Sequence, residues 1–152
     1  MPKVLFLIGM PGSGKSTYLA DFLKLHPEFD VNAIYDDYHN KSLDNTHEFT
    51  KSRYYRDFVE KLKNGTDCML VDIEYCGSYR LNLALQGIEN IAKEHKLELS
   101  VEYLCFENNP QKCRRNVMNR NRANSNEELQ KIDRLTRSYN IPEGATILQI
   151  SN

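Results

Sequence analysis

The sequence contains no long hydrophobic run, no excess of charge of either sign and no closely spaced pair of cysteines. The apolar stretch near its start, from Val4 to Ile8, is too short to cross a bilayer or to form the core of a signal peptide. We therefore expect a cytoplasmic protein with no membrane segment. The 20 Lys and Arg residues are balanced by 21 Asp and Glu residues, which excludes a globally basic nucleic-acid coat but leaves room for a local basic groove.

The four cysteines lack the spacing of a metal site: Cys68, Cys76, Cys105 and Cys113. None forms a C-x-x-C pair, and no histidine stands at a zinc-finger spacing from them. Cys68 and Cys105 lie inside apolar runs, where a free thiol behaves as a small hydrophobic side chain. The sequence therefore predicts buried, reduced thiols.

What the sequence does contain is an alternation of short apolar runs and helical periodicity over 152 residues, a length typical of one domain. Apolar runs predict strands at 3–8, 31–35, 68–73, 97–106 and 146–150. The helical pattern predicts helices at 46–63, 78–95, 110–122 and 125–139, and a first helix that starts at Lys15 and is ended by Pro27. Ser78 and a capping box at 125–128 are the predicted starts of two of them.

The order of these elements predicts a single α/β domain over residues 1–152. Strands that alternate with helices form a parallel sheet through right-handed crossovers. We therefore expect a five-stranded parallel sheet with helices on both faces.

The most specific motif, at residues 9–16, matches G-x-x-x-x-G-K-[ST] at every fixed position and lies between the first predicted strand and the first predicted helix. Such a loop wraps phosphate oxygens with inward-pointing N–H groups, which requires the backbone freedom of glycine, and the helix N-terminus behind it adds partial positive charge. The motif predicts a P-loop NTPase fold and a nucleotide site formed by Gly9, Pro11, Gly12, Ser13, Gly14, Lys15, Ser16 and Thr17.

Two residues of this loop carry most of its chemistry. Lys15 can reach the β- and γ-phosphates of ATP, and the Ser16 hydroxyl can coordinate Mg²⁺. A dinucleotide-binding loop would require G-x-G-x-x-G instead, but Thr17 stands where the third glycine belongs. The predicted cofactors are therefore ATP and Mg²⁺.

Carboxylates follow two of the predicted strands, at the edge where parallel strands present their ligand sites. Asp36 and Asp37 follow the second strand, and either could accept a proton from an attacking hydroxyl; Asp36 is the first choice because it is closer to the strand. Asp72 ends the third strand and is the predicted Mg²⁺ ligand. Glu74 is a near rival, since sequence patterns place strand ends only to within a few residues.

Basic residues without an intervening acid cluster in the fourth predicted helix: Lys112, Arg114, Arg115, Arg120 and Arg122. A solvated face is the ordinary interpretation of such a run. Phosphoryl transfer, however, needs guanidinium groups to neutralise the migrating group, and this segment follows the fourth strand. We therefore predict a lid at about 110–125, with Arg115, Arg120 and Arg122 at the nucleotide. Arg80, at the start of the third helix, could line an acceptor pocket or belong to the helix surface.

Residues 9–17, the Asp36-Asp37-Tyr38 segment, Asp72 and residues 106–122 together resemble a group of small P-loop kinases. The group contains polynucleotide 5′-hydroxyl kinases, zeta-toxin-like kinases and chloramphenicol phosphotransferase, and the bacteriophage polynucleotide kinase domain is the most similar. The resemblance implies that Asp36 is the general base and that Arg120, or the adjacent option Arg122, is the lid arginine. The predicted acceptor-binding residues are Asp37, Tyr38, His39 and Arg80, although His39 stands where that family has an arginine that grips the nucleic-acid phosphate.

The predicted activity is transfer of the γ-phosphate of ATP to a hydroxyl acceptor. The acceptor is a polynucleotide or nucleoside 5′-hydroxyl, so the 5′ end of a nucleic acid is a predicted partner. Two alternatives stay open: a small-molecule kinase acting on an antibiotic or nucleotide-sugar hydroxyl, and a non-kinase P-loop ATPase or switch. The sequence carries no signal for the oligomeric state.

Overall fold

The central element of the computed structural model, which describes residues 1–151, is strand β1 (Lys3–Ile8). Its five apolar residues are 0% to 7% exposed, as expected for a strand covered on both faces. β1 pairs in parallel with β3 (Cys68–Val71) on one side and with β4 (Ser100–Phe106) on the other. The short strands β2 (Ile34–Asp36) and β5 (Thr146–Leu148) form the edges, so the order is β2-β3-β1-β4-β5. The predicted five-stranded parallel sheet is confirmed.

Five α-helices connect these strands: α1 (Lys15–Leu25), α2 (Tyr55–Lys63), α3 (Ser78–His95), α4 (Pro110–Arg120) and α5 (Ser125–Thr136). The crossover from β1 to β2 runs across the sheet in the opposite direction to the later crossovers. Right-handed connections therefore place α1 on one face and α2 and α3 on the other, which is the P-loop NTPase arrangement expected from the sequence. Within residues 1–151 no helix is both long and apolar enough to cross a bilayer.

The carboxyl ends of three adjacent strands are level with one another. Asp36 of β2 pairs with Val71 of β3, and Val71 also pairs with Leu7 of β1. The segments that follow these strands are the phosphate loop, Asp37 and Asp72, so the register brings the predicted functional residues to one edge of the sheet.

The segment between β2 and α2 differs from the prediction. A helix was expected over 46–63, but α2 begins only at Tyr55, and residues 49–51 form one turn of 3₁₀ helix. Residues 41–43 and 51–53 instead form a short antiparallel ribbon, held by the hydrogen bonds from Leu43 N to Lys51 O (2.8 Å) and from Arg53 N to Lys41 O (2.7 Å). The periodicity failed because Phe49 is buried by packing against Tyr38 and Phe58 rather than by lying on a helical stripe.

Two predicted helix caps are wrong by one residue, and one predicted strand is displaced. Gly77 precedes α3 and Asn124 precedes α5, and neither makes a side-chain capping bond. The Ser125 hydroxyl donates instead to the carbonyl of Arg122 (2.7 Å). The expected strand at 31–35 begins with a 3₁₀ turn, Val31–Ala33, because the Asp30 carboxylate accepts the N–H of Asn32 and caps that turn.

The four cysteines are buried and free, as predicted. Burial raises the pKa of the thiol to about 12 for Cys68 and Cys76 and to about 11 for Cys105 and Cys113. Uncharged thiols are therefore part of the apolar packing.

Candidate active site

The phosphate loop has the backbone shape that its glycines predict. Gly12 and Gly14 adopt φ of +82° and +104°, in the left-handed region that favours glycine. A Cβ at Gly12 would lie 2.3 Å from the backbone carbonyl oxygen of Cys113, so α4 packs directly against the loop. The side-chain amide of Asn116, also on α4, donates to the carbonyl of Gly12 (2.9 Å). The loop is therefore held between α1, which begins at Lys15, and α4.

The ammonium of Lys15 lies inside the curve of this loop. Its Nζ donates to the carbonyls of Gly9 (2.5 Å) and Met10 (3.2 Å). Burial lowers the pKa of Lys15, and the nearby carboxylates of Asp36 and Asp72 are among the groups that oppose this shift. One cation thus stands between the loop and two strand-end carboxylates, which is the centre of the candidate site.

Ser13 adds a second polar group to the loop. Its side chain is 1% exposed, and its hydroxyl makes no hydrogen bond with any other group in residues 1–151. A buried hydroxyl without a partner carries an energetic cost of about 1–3 kcal/mol, which a ligand in the loop would remove. Ser13 is therefore placed to donate to an oxygen of a bound phosphate.

Asp36 and Asp37 form the next part of the site. The carboxylate of Asp36 accepts the backbone N–H of Asp37 (3.0 Å), and Asp37 itself adopts a left-handed φ of 54°. Partial burial and the like charge of Asp37 raise the pKa of Asp36, while the ammonium groups of Lys15 and Lys41 lower it. A carboxylate with a raised pKa that stays partly open to solvent is suited to accept a proton.

Asp72 is buried at the end of β3 and joins two segments. It is 4% exposed, and its two carboxylate oxygens accept the backbone N–H groups of His39 and Glu74, each at 2.9 Å. Burial raises the pKa of Asp72 to about 6, against the effect of these two donors. The rival residue, Glu74, makes a two-pronged ion pair with Arg134 of α5 (2.9 and 3.3 Å). Asp72 therefore belongs to the site around Lys15, whereas Glu74 ties α5 to the 3₁₀ turn that follows β3.

Tyr38 and His39 are built into the core. Tyr38 is 0% exposed and its hydroxyl donates to the carbonyl of Phe49 (2.7 Å). His39 is 2% exposed, and its Nδ1 lies 2.9 Å from the carbonyl of His47, which fixes the proton on Nδ1. Nε2 therefore accepts from the hydroxyl of Tyr75 (2.9 Å). Burial lowers the pKa of His39 to about 4, so the ring is neutral near pH 7 and positions the segment that follows Asp36 and Asp37.

Arg80, at the start of α3, contacts the same segment. Its Nη1 donates to the carbonyl of His47 (2.6 Å), the oxygen that also accepts from His39. Arg80 and His39 both border a cavity between α3 and residues 46–50. Of the four residues expected on the acceptor side, Asp37 is exposed and Arg80 is half-buried. The polar atoms of the other two, Tyr38 and His39, are already hydrogen-bonded within the protein.

A cavity of about 490 Å³ lies over the phosphate loop and against α4 and α5. Pro11, Gly12, Gly14, Lys15, Ser16 and Thr17 line one wall. Arg120 and Arg122 line the other, so the structure brings the expected lid arginines to the loop. Arg120 forms an ion pair with Glu128 of α5 (2.8 Å), and the side chain of Glu128 is only 12% exposed. Arg115 lies on the same helix with an exposed side chain, outside the lining of this cavity.

Sequence reasoning missed four residues that line this cavity: Asn116, Asn119, Glu128 and Ser151. Asn116 bridges the carbonyls of Gly12 (2.9 Å) and Ser151 (2.8 Å), but an asparagine in a polar helix carries no pattern that points to a loop 104 residues away. Glu128 was interpreted as part of a helix cap. Its position eight residues after Arg120 is the only sequence signal. That spacing predicts an ion pair only if α4 and α5 are known to pack side by side.

The donor set suits a magnesium ion bound together with phosphates. Residues 1–151 contain no cluster of three His, Cys, Asp or Glu side chains that could hold a metal. Mg²⁺ in nucleotide sites is typically held by one or two protein oxygens, with waters and phosphate oxygens completing the shell. The Ser16 hydroxyl and the Asp72 carboxylate are hard oxygen donors of this kind, so these residues fit the ion.

Comparison with known proteins adds support for the fold. No protein-family model matches the chain, and no curated protein matches it either. Among solved structures, the chain is similar to a fungal RNA kinase, with a TM-score of 0.65, 14% sequence identity, and coverage of 99% of this chain and 76% of that chain. At this identity the likeness concerns the fold. The chain therefore has an α/β fold similar to that of this kinase.

Proposed function

We propose that this protein is an ATP-dependent phosphotransferase that moves the γ-phosphate to a hydroxyl acceptor, most favourably a polynucleotide or nucleoside 5′-hydroxyl. One observation carries the proposal: the partly buried Lys15 ammonium lies in the phosphate loop, close to the carboxylates of Asp36 and Asp72, and the lid arginines border the same cavity. A cation, a base and guanidinium groups at one site are the parts that phosphoryl transfer to a hydroxyl requires.

The loop and Lys15 bind the nucleotide in this proposal. The N–H groups of the loop and the N-terminus of α1 surround the phosphates, and the Ser13 hydroxyl donates to one of their oxygens. The Lys15 ammonium exchanges the carbonyls of Gly9 and Met10 for β- and γ-phosphate oxygens. Because this exchange moves a buried cation onto anions, it strengthens the electrostatic attraction that holds the nucleotide.

Asp36 acts as the general base. It accepts the proton of the acceptor hydroxyl as the new bond forms between that oxygen and the γ-phosphorus. The bond between the γ-phosphorus and the β–γ bridging oxygen breaks, and ADP leaves with its electron pair. The raised pKa of Asp36 supports this role, since a base is most effective when its pKa approaches the working pH.

Ser16 and Asp72 are the residues that would hold Mg²⁺. When bound, the ion supplies neutralisation of charge on the β- and γ-phosphate oxygens. Asp72 also fixes the backbone of His39, so the same carboxylate maintains the segment that carries Asp36.

Arg120 and Arg122 complete the wall of the cavity opposite the loop. Their guanidinium groups neutralise the charge that spreads over the migrating phosphoryl group. Arg120 forms an ion pair with Glu128, so its guanidinium group either leaves Glu128 to bind phosphate or contacts both groups at once. The similarity in fold to an RNA kinase supports a nucleic-acid acceptor over a small-molecule hydroxyl.

The test is a transfer assay with γ-labelled ATP and three acceptor classes: 5′-hydroxyl oligonucleotides, nucleosides and hydroxylated antibiotics. We expect label in an oligonucleotide or nucleoside 5′ position. Label in an antibiotic would select the small-molecule alternative, and label in free phosphate alone would identify an ATPase. Asp36→Asn should retain ATP binding and reduce turnover by about 10²- to 10⁴-fold. A large loss in the matched Asp37→Asn variant, with none in Asp36→Asn, would transfer the base role to Asp37.

A further inference from the structure

A second cavity lies beside the candidate site, on the side of the sheet edge that carries β2 and β3. It has a volume of about 560 Å³ and runs between α3 and residues 46–50. We call it the α3 groove. Its lining combines an exposed aromatic residue, a guanidinium group, side-chain amides and threonine hydroxyls: Tyr79, Arg80, Gln86, Asn90, Thr46 and Thr50. The phosphate-loop cavity is lined by the loop, α4 and α5. Asp72 connects the two, because its carboxylate lies near Lys15 of that cavity and accepts the N–H of His39, which borders the α3 groove.

The floor of the α3 groove is built by close packing. A Cβ at Gly87 would lie 2.4 Å from the ring of Phe49, so the absence of a side chain lets residues 46–50 approach the helix. Glycine inside a helix lowers the stability of the helix by about 1 kcal/mol relative to alanine. The close contact with Phe49 explains why glycine is nevertheless present at position 87. Arg80 fixes the other end of the segment through the carbonyl of His47. The shape of the groove is therefore fixed by two contacts between α3 and residues 46–50, one at Gly87 and one at Arg80.

Tyr79 gives the groove an open aromatic surface. Its side chain is 75% exposed, and it is the only aromatic among the large apolar side chains that are exposed in residues 1–151. Leu83, one helical turn further along α3, is 39% exposed and continues the same wall. An exposed ring with an apolar neighbour and amides within the same groove is a surface on which a nucleobase can stack.

Basic residues lead from Asp36 toward this groove. Lys41 lies close enough to Asp36 to lower its pKa. The ribbon that pairs 41–43 with 51–53 also carries Lys51 and Arg53, whose side chains are exposed while Ser52 between them is buried. Lys51 follows Thr50 of the groove wall. Glu48 supplies negative charge within the groove itself, so a polyanion would keep its phosphates along the ribbon and its bases against Tyr79.

We infer that the α3 groove binds the nucleotides that follow the reacting 5′ end of a single-stranded nucleic acid, with Tyr79 as the stacking surface. The inference rests on the proposed function, because it places the reacting hydroxyl at Asp36. A single strand is favoured over a duplex because stacking on Tyr79 needs an unpaired base. The groove would then distinguish a polynucleotide from a nucleoside acceptor.

The experiment compares a 5′-hydroxyl oligonucleotide of about 12 nucleotides, long enough for one single-strand site, with a nucleoside 3′-monophosphate that cannot reach the groove. For Tyr79→Ala we expect KM for the oligonucleotide to rise about 5- to 150-fold, the loss of one stacked base, with kcat unchanged and no effect on the mononucleotide. Tyr79→Phe should retain wild-type KM. Leu25→Ala, at an equally exposed position on α1 (77%), is the control. An unchanged oligonucleotide KM, or an equal rise for both acceptors, overturns the inference.

Binding without turnover separates this inference from the kinase proposal. Fluorescence anisotropy of the 3′-labelled oligonucleotide should show weaker binding to Tyr79→Ala than to the wild type. Lys51→Gln should reduce the log–log salt dependence by about one unit. If the wild type binds the strand through Tyr79 but transfers no phosphate, the groove stands and the kinase proposal fails. If the wild type phosphorylates nucleosides but Tyr79→Ala leaves strand binding unchanged, the groove is refuted and the kinase proposal stands.

Discussion

Replacing Gly12 by alanine tests whether α4 is fixed against the phosphate loop. Gly12 adopts a φ of +82°, and a Cβ there would meet the backbone oxygen of Cys113 at 2.3 Å and the Val117 side chain at 3.0 Å. A helix carbonyl cannot rotate away as a side chain can. The loop or α4 must therefore move, and both line the phosphate-loop cavity.

The chain offers a matched control in Gly144. It has the same φ of +82°, but a Cβ there would meet nothing within 4 Å. Alanine in the left-handed region costs about 1–2 kcal/mol, and overpacking adds about 1–3 kcal/mol. For a chain of this size we expect Tm to fall by about 2–8 °C in Gly144→Ala and by about 4–20 °C in Gly12→Ala, with the larger loss in Gly12→Ala.

Thermal melts followed by circular dichroism give the two Tm values, and calorimetric titration with ATP and Mg²⁺ gives the affinity. We expect ATP binding to weaken about tenfold or more in Gly12→Ala, since a displacement of this size at the loop costs at least about 1.4 kcal/mol of phosphate contacts. Gly144→Ala should bind ATP as the wild type does. Equal losses of Tm in the two variants, or wild-type ATP affinity in Gly12→Ala, would refute the direct contact between α4 and the loop.

Four further predictions concern the charged residues. Lys15→Ala should abolish phosphotransfer and leave the circular dichroism spectrum native, because Lys15 contacts loop carbonyls and not the core; turnover at unchanged ATP affinity would remove Lys15 from the site. Asp37→Asn removes a like charge that raises the pKa of Asp36, so the acidic limb of the kcat/KM profile should move to lower pH. An acidic limb that moves to higher pH or does not move would contradict the assignment of the raised pKa of Asp36 to the charge of Asp37. Arg120→Ala should lower kcat more than it raises either KM, as expected for a transition-state contact. Glu128→Gln should bind ATP about two- to fivefold more tightly in titrations, since it removes a carboxylate from the cavity; weaker binding would show that Glu128 instead positions Arg120.

The sheet and the loop were predictable because their signals are local. The apolar run of β1, the glycines of residues 9–16 and the start of α1 stand next to one another in the sequence and form one structural unit. The carboxylates were predictable for a related reason: Asp36 and Asp72 immediately follow apolar runs, and parallel pairing makes strand ends converge.

The rest of the site depends on contacts that no local pattern encodes. Phe49 reaches the core because Gly87 of a later helix has no side chain. His39 is a neutral core residue because its ring meets Tyr75 and the carbonyl of His47. Asn116 belongs to the site only because α4 returns to the loop. Each of these residues acquires its role from a partner far away in the sequence, so periodicity and capping rules miss it.

The register of β1 has a consequence for how the protein folds during its synthesis. Val4 pairs with Cys68 and with Val101, so both edges of β1 are covered only after the much later strands β3 and β4 have been synthesised. Such non-local pairing is slow to form. The segment that presses on Gly12 is translated later still. A nucleotide that binds as proposed would therefore stabilise only the folded domain, by about 2.7 kcal/mol at a ligand concentration 100 times Kd. A nascent chain halted before α4 would display the complete glycine-rich motif and no nucleotide site.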